Sequence, residues 1–217
     1  MNIYNLHSKP ESLDHFEKVT ANNPAIFWDK YKNKPEELKK REKYIAKSAF
    51  HAYLYARDVL KGPFPAGEEA IAKDVIHAYS YAKDVIERPF PLGEEAIAKD
   101  ARFAYLYADD VLKGPFPAGE ATIAKDYAYA YHYAEDILKG PFPAGEEAIA
   151  KSAEYSYYYV RDVLKGPFPA GEEAISKDAY HANNYARDIL KGPFPAGEAS
   201  ISKDQYYAIE YAKHALK

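Results

Sequence analysis

A block reading Pro-Phe-Pro-x-Gly-Glu returns every 26 residues along this chain with no insertion or deletion. It sets phenylalanines at Phe64, Phe90, Phe116, Phe142, Phe168 and Phe194, and isoleucines in step at Ile45, Ile71, Ile97, Ile123, Ile149, Ile175 and Ile201. Repetition this strict describes a stack of small identical units, each packed on its neighbours, and excludes a globule around one core.

One unit can be read residue by residue. Pro117 pre-sets a helical φ, so 117–125 reads as a short first helix. Sister units place Glu69, Glu95, Glu147 and Glu173 four residues before Lys73, Lys99, Lys151 and Lys177, the favourable order for a helical ion pair. Asp100 and Asp126, or Ser48 and Ser152, then cap a second helix, which here runs from Ala101 to Lys113. Gly114-Pro115 ends it, the glycine by taking a positive φ and the proline by refusing to continue. One unit has Arg88 in the glycine's place and keeps Pro89, so the stop depends more on proline. At helical spacing Ala104, Ala108, Val111, Leu112, Tyr105 and Tyr107 form the core stripe, with Arg102, Leu106 and Asp109 opposite. Small alanines let helices approach, and the Phe116 ring of the turn is expected to plug the space between units. The resulting fold class is all-α: an αα-hairpin repeat solenoid over 45–217, about seven helix pairs. Residues 1–44 fall outside the period and read as an N-terminal helical cap, with helices opened by Pro10, Pro24 and Pro35 and with Phe27 and Trp28 closing the end of the core.

Composition narrows the function. Residues 1–44 carry nine Lys/Arg against seven Asp/Glu, so the repeats hold the remainder of a net −4 charge, namely −6. An acidic array argues against nucleic acid as a partner, since phosphate backbones need clustered Lys and Arg. Cysteine is absent, which removes disulfide and thiolate chemistry. The N-terminus lacks a basic segment followed by an apolar run, and no stretch is long enough to span a bilayer. A cytoplasmic protein without membrane contact is the expectation. Tyrosine is abundant, 22 in all and 19 in the repeats; its apolar ring and polar tip suit a seam buried on one side and wet on the other.

The seven units, compared with one another, separate a frozen loop and first helix from three drifting positions in the second helix. Phe50, Ile76, Arg102, Ala128, Glu154, Tyr180 and Tyr206 occupy the first, and Leu54, Ser80, Leu106, His132, Tyr158, Asn184 and Glu210 the second. Charged residues such as Arg57, Asp109 and Arg161 fill the third. Spaced i, i+4, i+7, they lie opposite the core stripe. Either they are a tolerant wet face or they are a binding face, and the large apolar members favour binding. The candidate face is therefore Phe50, Leu54, Ile76, Arg102, Leu106, His132, Tyr158, Tyr180, Asn184 and Tyr206. Beside it runs an alternative seam of His51, His77 and His181 with Asp58, Asp84, Asp110 and Asp188. An aspartate in a last helical turn opposes the helix dipole, so its recurrence implies a structural partner, a loop N–H or a tyrosine hydroxyl of the next repeat. His51 and His77 stand one unit apart, roughly 10 Å between backbones, too wide for ligands that sit about 2.1 Å from a metal. No metal site, cofactor or catalytic acid–base–nucleophile set is read.

The pattern Ala-Tyr-x-Tyr-Ala-x-Asp-Val-Leu-Lys-Gly-Pro-Phe-Pro-x-Gly-Glu-x-x-Ile resembles a tandem repeat of bacteriophage and environmental proteins whose turn often reads Gly-Arg-Trp-Pro. The start Met1-Asn-Ile-Tyr-Asn-Leu-His-Ser also resembles starts in that group. The likeness covers 45–217 and carries no activity. More distantly the chain is similar to Sel1-like and tetratricopeptide arrays, whose units are longer. Together the residues and the resemblance lead to a non-enzymatic binding protein. It would take a protein partner, a host factor of a phage or a second copy of itself, on the second helices. The alternative is a nucleotide or small ligand held in the His–Asp seam.

Overall fold

In a computed structural model, residues 24–215 are described, with side chains from Trp28 onward. The expectation of a helix opened by Pro10, and that for the side chain of Phe27, lie outside the described residues. Every regular element among the described residues is helical, as the period requires. The chain divides into two compact units, Met1–Gly93 and Glu94–Lys217.

Within Glu94–Lys217 one repeat shows how sequence becomes packing. The first helix, Pro117–Ile123, opens on proline and buries Gly119 and Ile123. The second begins where the Asp126 carboxylate accepts the N–H groups of Ala128 and Tyr129, at 2.9 and 3.0 Å. Phe116 is 3% exposed. Its ring meets Tyr107 of the preceding second helix edge-on, centroids 5.1 Å apart. Its backbone N–H donates to the Tyr133 hydroxyl of the following second helix at 2.8 Å. That hydroxyl in turn donates to Glu120 at 2.9 Å. One turn therefore clamps two successive second helices. The same clamp recurs at Phe142 with Tyr159, Phe168 with Tyr185 and Phe194 with Tyr211. The buried aromatic side chains bring large apolar area and satisfy their polar tips.

Met1–Gly93 uses the same clamp. The N–H of Phe64 donates to Tyr81, and Tyr81 to Glu68 at 2.8 Å. Tyr55 donates to Glu42 at 2.6 Å, and Leu38, at the register position of Phe64, is wholly buried. The bonding pattern of the repeats thus begins inside the segment read as a cap, within the helices Pro35–Lys39 and Glu42–Ile45. Trp28 is buried as well.

Two expectations about the second helix need correction. It is not one α-helix of 13 residues: Ala101–Tyr107 is α-helical and Ala108–Leu112 widens into a π turn. Val111 and Leu112, expected in the core stripe, are half-buried, because the wider turn carries the end of the helix off the α register; Tyr105, also expected there, is half-buried with its hydroxyl on Asp136. The residue of positive φ is also not the glycine. Lys113 takes φ 52°, and Lys61, Lys139, Lys165, Lys191 and Glu87 do the same, while no glycine does so among the described residues. The Ala108 carbonyl accepts the Gly114 N–H at 3.1 Å and that of Lys113, which pairs a carbonyl the helix end would otherwise orphan. Proline one residue later forbids any continuation.

The two glycines of a repeat therefore have different reasons. A Cβ on Gly114 would find only the Leu112 carbonyl, 4.0 Å away. On Gly119 it would fall 2.7 Å from the Cβ of Ala104 and 2.7 Å from the Phe116 ring, where the first helix lies directly on the preceding second helix. Gly114→Ala is expected to stay within about 0.5 kcal/mol of wild type, whereas Gly119→Ala should cost about 1–3 kcal/mol by overpacking. Urea titration of the two variants checks the contrast; equal losses would contradict it.

Candidate functional site

The drifting positions divide by depth. Ile76, Tyr180 and Tyr206 are 52%, 46% and 66% exposed. Arg102 is exposed, and Phe50, Leu106, His132 and Tyr158 are half-buried. Leu54 and Asn184, expected on the wet face, are buried. Both occupy the second drifting position, which lies nearer the neighbouring helix than the first. Five of the seven first positions are thus exposed, with Phe50 and Ala128 half-buried, above a second row that is half-buried or buried.

Aromatic rings run along this face within Glu94–Lys217. Tyr131 meets Tyr155 and Tyr158 at 5.7 and 6.0 Å between centroids, and Tyr158 meets His181 at 6.4 Å. Tyr180 then meets Tyr207 at 5.9 Å. Arg161 lies over Tyr158, 4.8 Å from the ring centre. Tyr131 is buried at the inner end of this row, while Tyr158 and Tyr180 keep part of their rings toward solvent, the form in which aromatic anchors serve interfaces.

The seam is committed to the fold. The Nδ1 atoms of His77 and His181 lie 2.7 and 2.8 Å from the N-capping carboxylates of Asp74 and Asp178, and His51 is buried against Ser48. The last-turn aspartates accept tyrosine hydroxyls from the preceding repeat, not the following one. Tyr53 donates to Asp84 at 2.9 Å; Tyr105 donates to Asp136, Tyr131 to Asp162 and Tyr157 to Asp188 at 2.8, 3.0 and 2.8 Å. This second ladder explains an acid set against the helix dipole. The Arg161 and Arg187 guanidiniums beside Asp162 and Asp188 hold those carboxyls below their ordinary range. Asp58, at the start of the series, pairs with Arg57. Asp110 is half-buried and has a partner of its own.

His132, Glu135 and Asp136 bring ligand atoms within 4.8 Å of one another. Asp136 already accepts the Tyr105 hydroxyl, and the three are partly exposed side chains on a single turn. Their arrangement reads as surface pairing, with His132 Nδ1 3.6 Å from Asp136.

One position escaped the sequence reading. In the column Tyr53, Tyr79, Tyr105, Tyr131 and Tyr157 the sixth member is Asn183, and in the acid column the last member is His214. The ladder therefore ends at the sixth repeat. The break is legible as a column that stops, five tyrosines followed by Asn183 and Ile209, and so stands apart from the positions that drift throughout.

No helix among the described residues is long and apolar enough to cross a membrane. Comparison with known proteins gives no match among family models, curated proteins or solved structures.

Proposed function

We propose that this chain is a non-enzymatic scaffold that binds a protein partner through the outer face of its second helices. The observation that carries the reading is the set of large apolar side chains kept in water there: Ile76 in one unit, Tyr180 and Tyr206 in the other. Side chains this exposed contribute little to folding, and protein interfaces are enriched in such aromatic anchors. The seam carries less weight as a ligand site because its histidines already pair with the caps of their own helices and Asp84 and Asp188 with tyrosines of the preceding repeat. The chain acts in the cytoplasm, as a phage-encoded protein that engages a host factor, or it pairs with a second copy of itself.

The test replaces Ile76, Leu106 and Tyr158 together with serine, and compares wild type and variant by light scattering and by capture of partners from the cognate cells. Each anchor at an interface is worth about 2 kcal/mol or more, so association should fall at least a hundredfold. A folded variant that associates as wild type does would leave the face a tolerant surface only.

A further inference from the structure

Where the tyrosine–aspartate ladder ends, a cavity of about 480 Å³ opens within Glu94–Lys217. Its volume lies within the range of small-molecule sites. The reason is local: Asn183 stands where five earlier repeats have tyrosine, and His214 stands where six have aspartate. Both partners of the ladder bond are missing, and the space of a phenol ring is vacant. Other surface grooves, such as that around Ala150, Lys151, Ala170 and Lys177, are lined by Glu–Lys pairs and alanines that recur in most repeats. The sixth-repeat cavity alone among these breaks the pattern.

Its floor is polar and lacks partners. Asn183 and Asn184 are 2% and 5% exposed and line the cavity. Neither amide makes a side-chain hydrogen bond to any described residue, and neither has its polar atoms sealed from the cavity. Two nearly buried amides that open onto the cavity offer donors and acceptors to whatever fills it. The walls are aromatic: Tyr157, Tyr180, Tyr206 and Tyr207. Arg161 steadies the Tyr157 ring, 5.5 Å from its centre.

Charge selects among ligands. Arg161 bonds Asp162 through Nε and Nη2 at 2.8 and 2.6 Å. Arg187 bonds Asp188 likewise at 2.7 and 2.8 Å, and Glu210 accepts from Lys213 at 2.9 Å. Every charge on the wall is internally paired, so an ionic ligand gains little there. A neutral planar ring with a donor beside an acceptor on each of two adjacent edges pairs with both amides and stacks on tyrosine. Adenine has two such edges around its amino group, N6 with N7, the pair that an asparagine amide reads, and N6 with N1, where cytosine has only N4 with N3; its π-face stacks on aromatic side chains. We propose that this cavity is a binding site for the adenine base of a nucleoside.

Isothermal titration of the full chain with adenosine tests this, with cytidine as the comparison. Wild type should bind adenosine saturably and more tightly than cytidine. The double variant N183Y/H214D restores the ladder of the sister repeats and fills the space; affinity should fall at least about tenfold. N184L, which installs the residue found at Leu54 and Leu106, removes one amide and should also weaken binding if the double variant does not fold. No heat from adenosine at millimolar concentration, cytidine bound as tightly, or undiminished affinity in the folded variants would each overturn the assignment. None of these results bears on the serine substitutions at Ile76, Leu106 and Tyr158, which lie outside the cavity.

Discussion

Phe116→Ala is expected to destabilise the protein by about 3–5 kcal/mol, the range for emptying a buried aromatic site. The ring is 3% exposed and lies against Tyr107. Little can collapse into the space, because Pro115 and Pro117 fix the backbone on either side. The clamp is also shared: the Phe116 N–H bonds Tyr133, so a shifted turn strands a buried hydroxyl and Glu120 together. Urea unfolding of the full chain measures the loss. A value below about 1 kcal/mol, far from any core truncation, would mean that the ring contributes no packing between helices.

The second large effect is alkaline. Burial pushes the hydroxyls of Tyr81, Tyr133, Tyr159 and Tyr185 above their ordinary value, and the glutamates they donate to add to it. Burial, and then Asp188, brings Tyr157 up to about 12. A folded-state value above the unfolded one means that the native protein holds the phenolic proton more tightly. The stabilisation is then fully present below the unfolded value, about 10, and is lost as pH rises through it toward the folded values. With one such tyrosine in repeat after repeat the losses accumulate. The urea midpoint should be nearly level from about pH 7 to 9 and fall steeply above about pH 10. A level midpoint through pH 11.5 would mean that the phenols ionise freely without disturbing the clamps, against the linkage expected of buried groups.

Much of this was legible in the sequence because it derives from spacing. The 26-residue period fixes the helix pairs; Asp100 and Ser152 cap second helices as their side chains suggest; Glu147 and Lys151 pair at 3.0 Å. The recurring Asp136 and Asp162 implied a partner, and each has a tyrosine hydroxyl. Other features were hidden for physical reasons. A π turn differs from an α turn by one hydrogen-bond step and leaves no mark on the period. Lysine carries the positive φ where that conformation returns both the Lys113 and the Gly114 N–H to the Ala108 carbonyl, a closure that overrides the residue's own preference. The burial of Leu54 and Asn184 depends on how close the neighbouring helix comes, which wheel geometry alone cannot give. The outer face was legible as a face; its exposed first row and its more buried second row were not.

Core and outer face are separable in this protein: clamps such as Phe116–Tyr133 set stability, and the drifting positions serve association. The urea midpoint of the variant with serine at 76, 106 and 158 tests that separation. Ile76 is mostly exposed and the other two half-buried, so the three changes together should cost no more than about 1–2 kcal/mol. That is less than Phe116→Ala alone. A loss equal to or greater than that of Phe116→Ala would place these side chains in the core and contradict the separation.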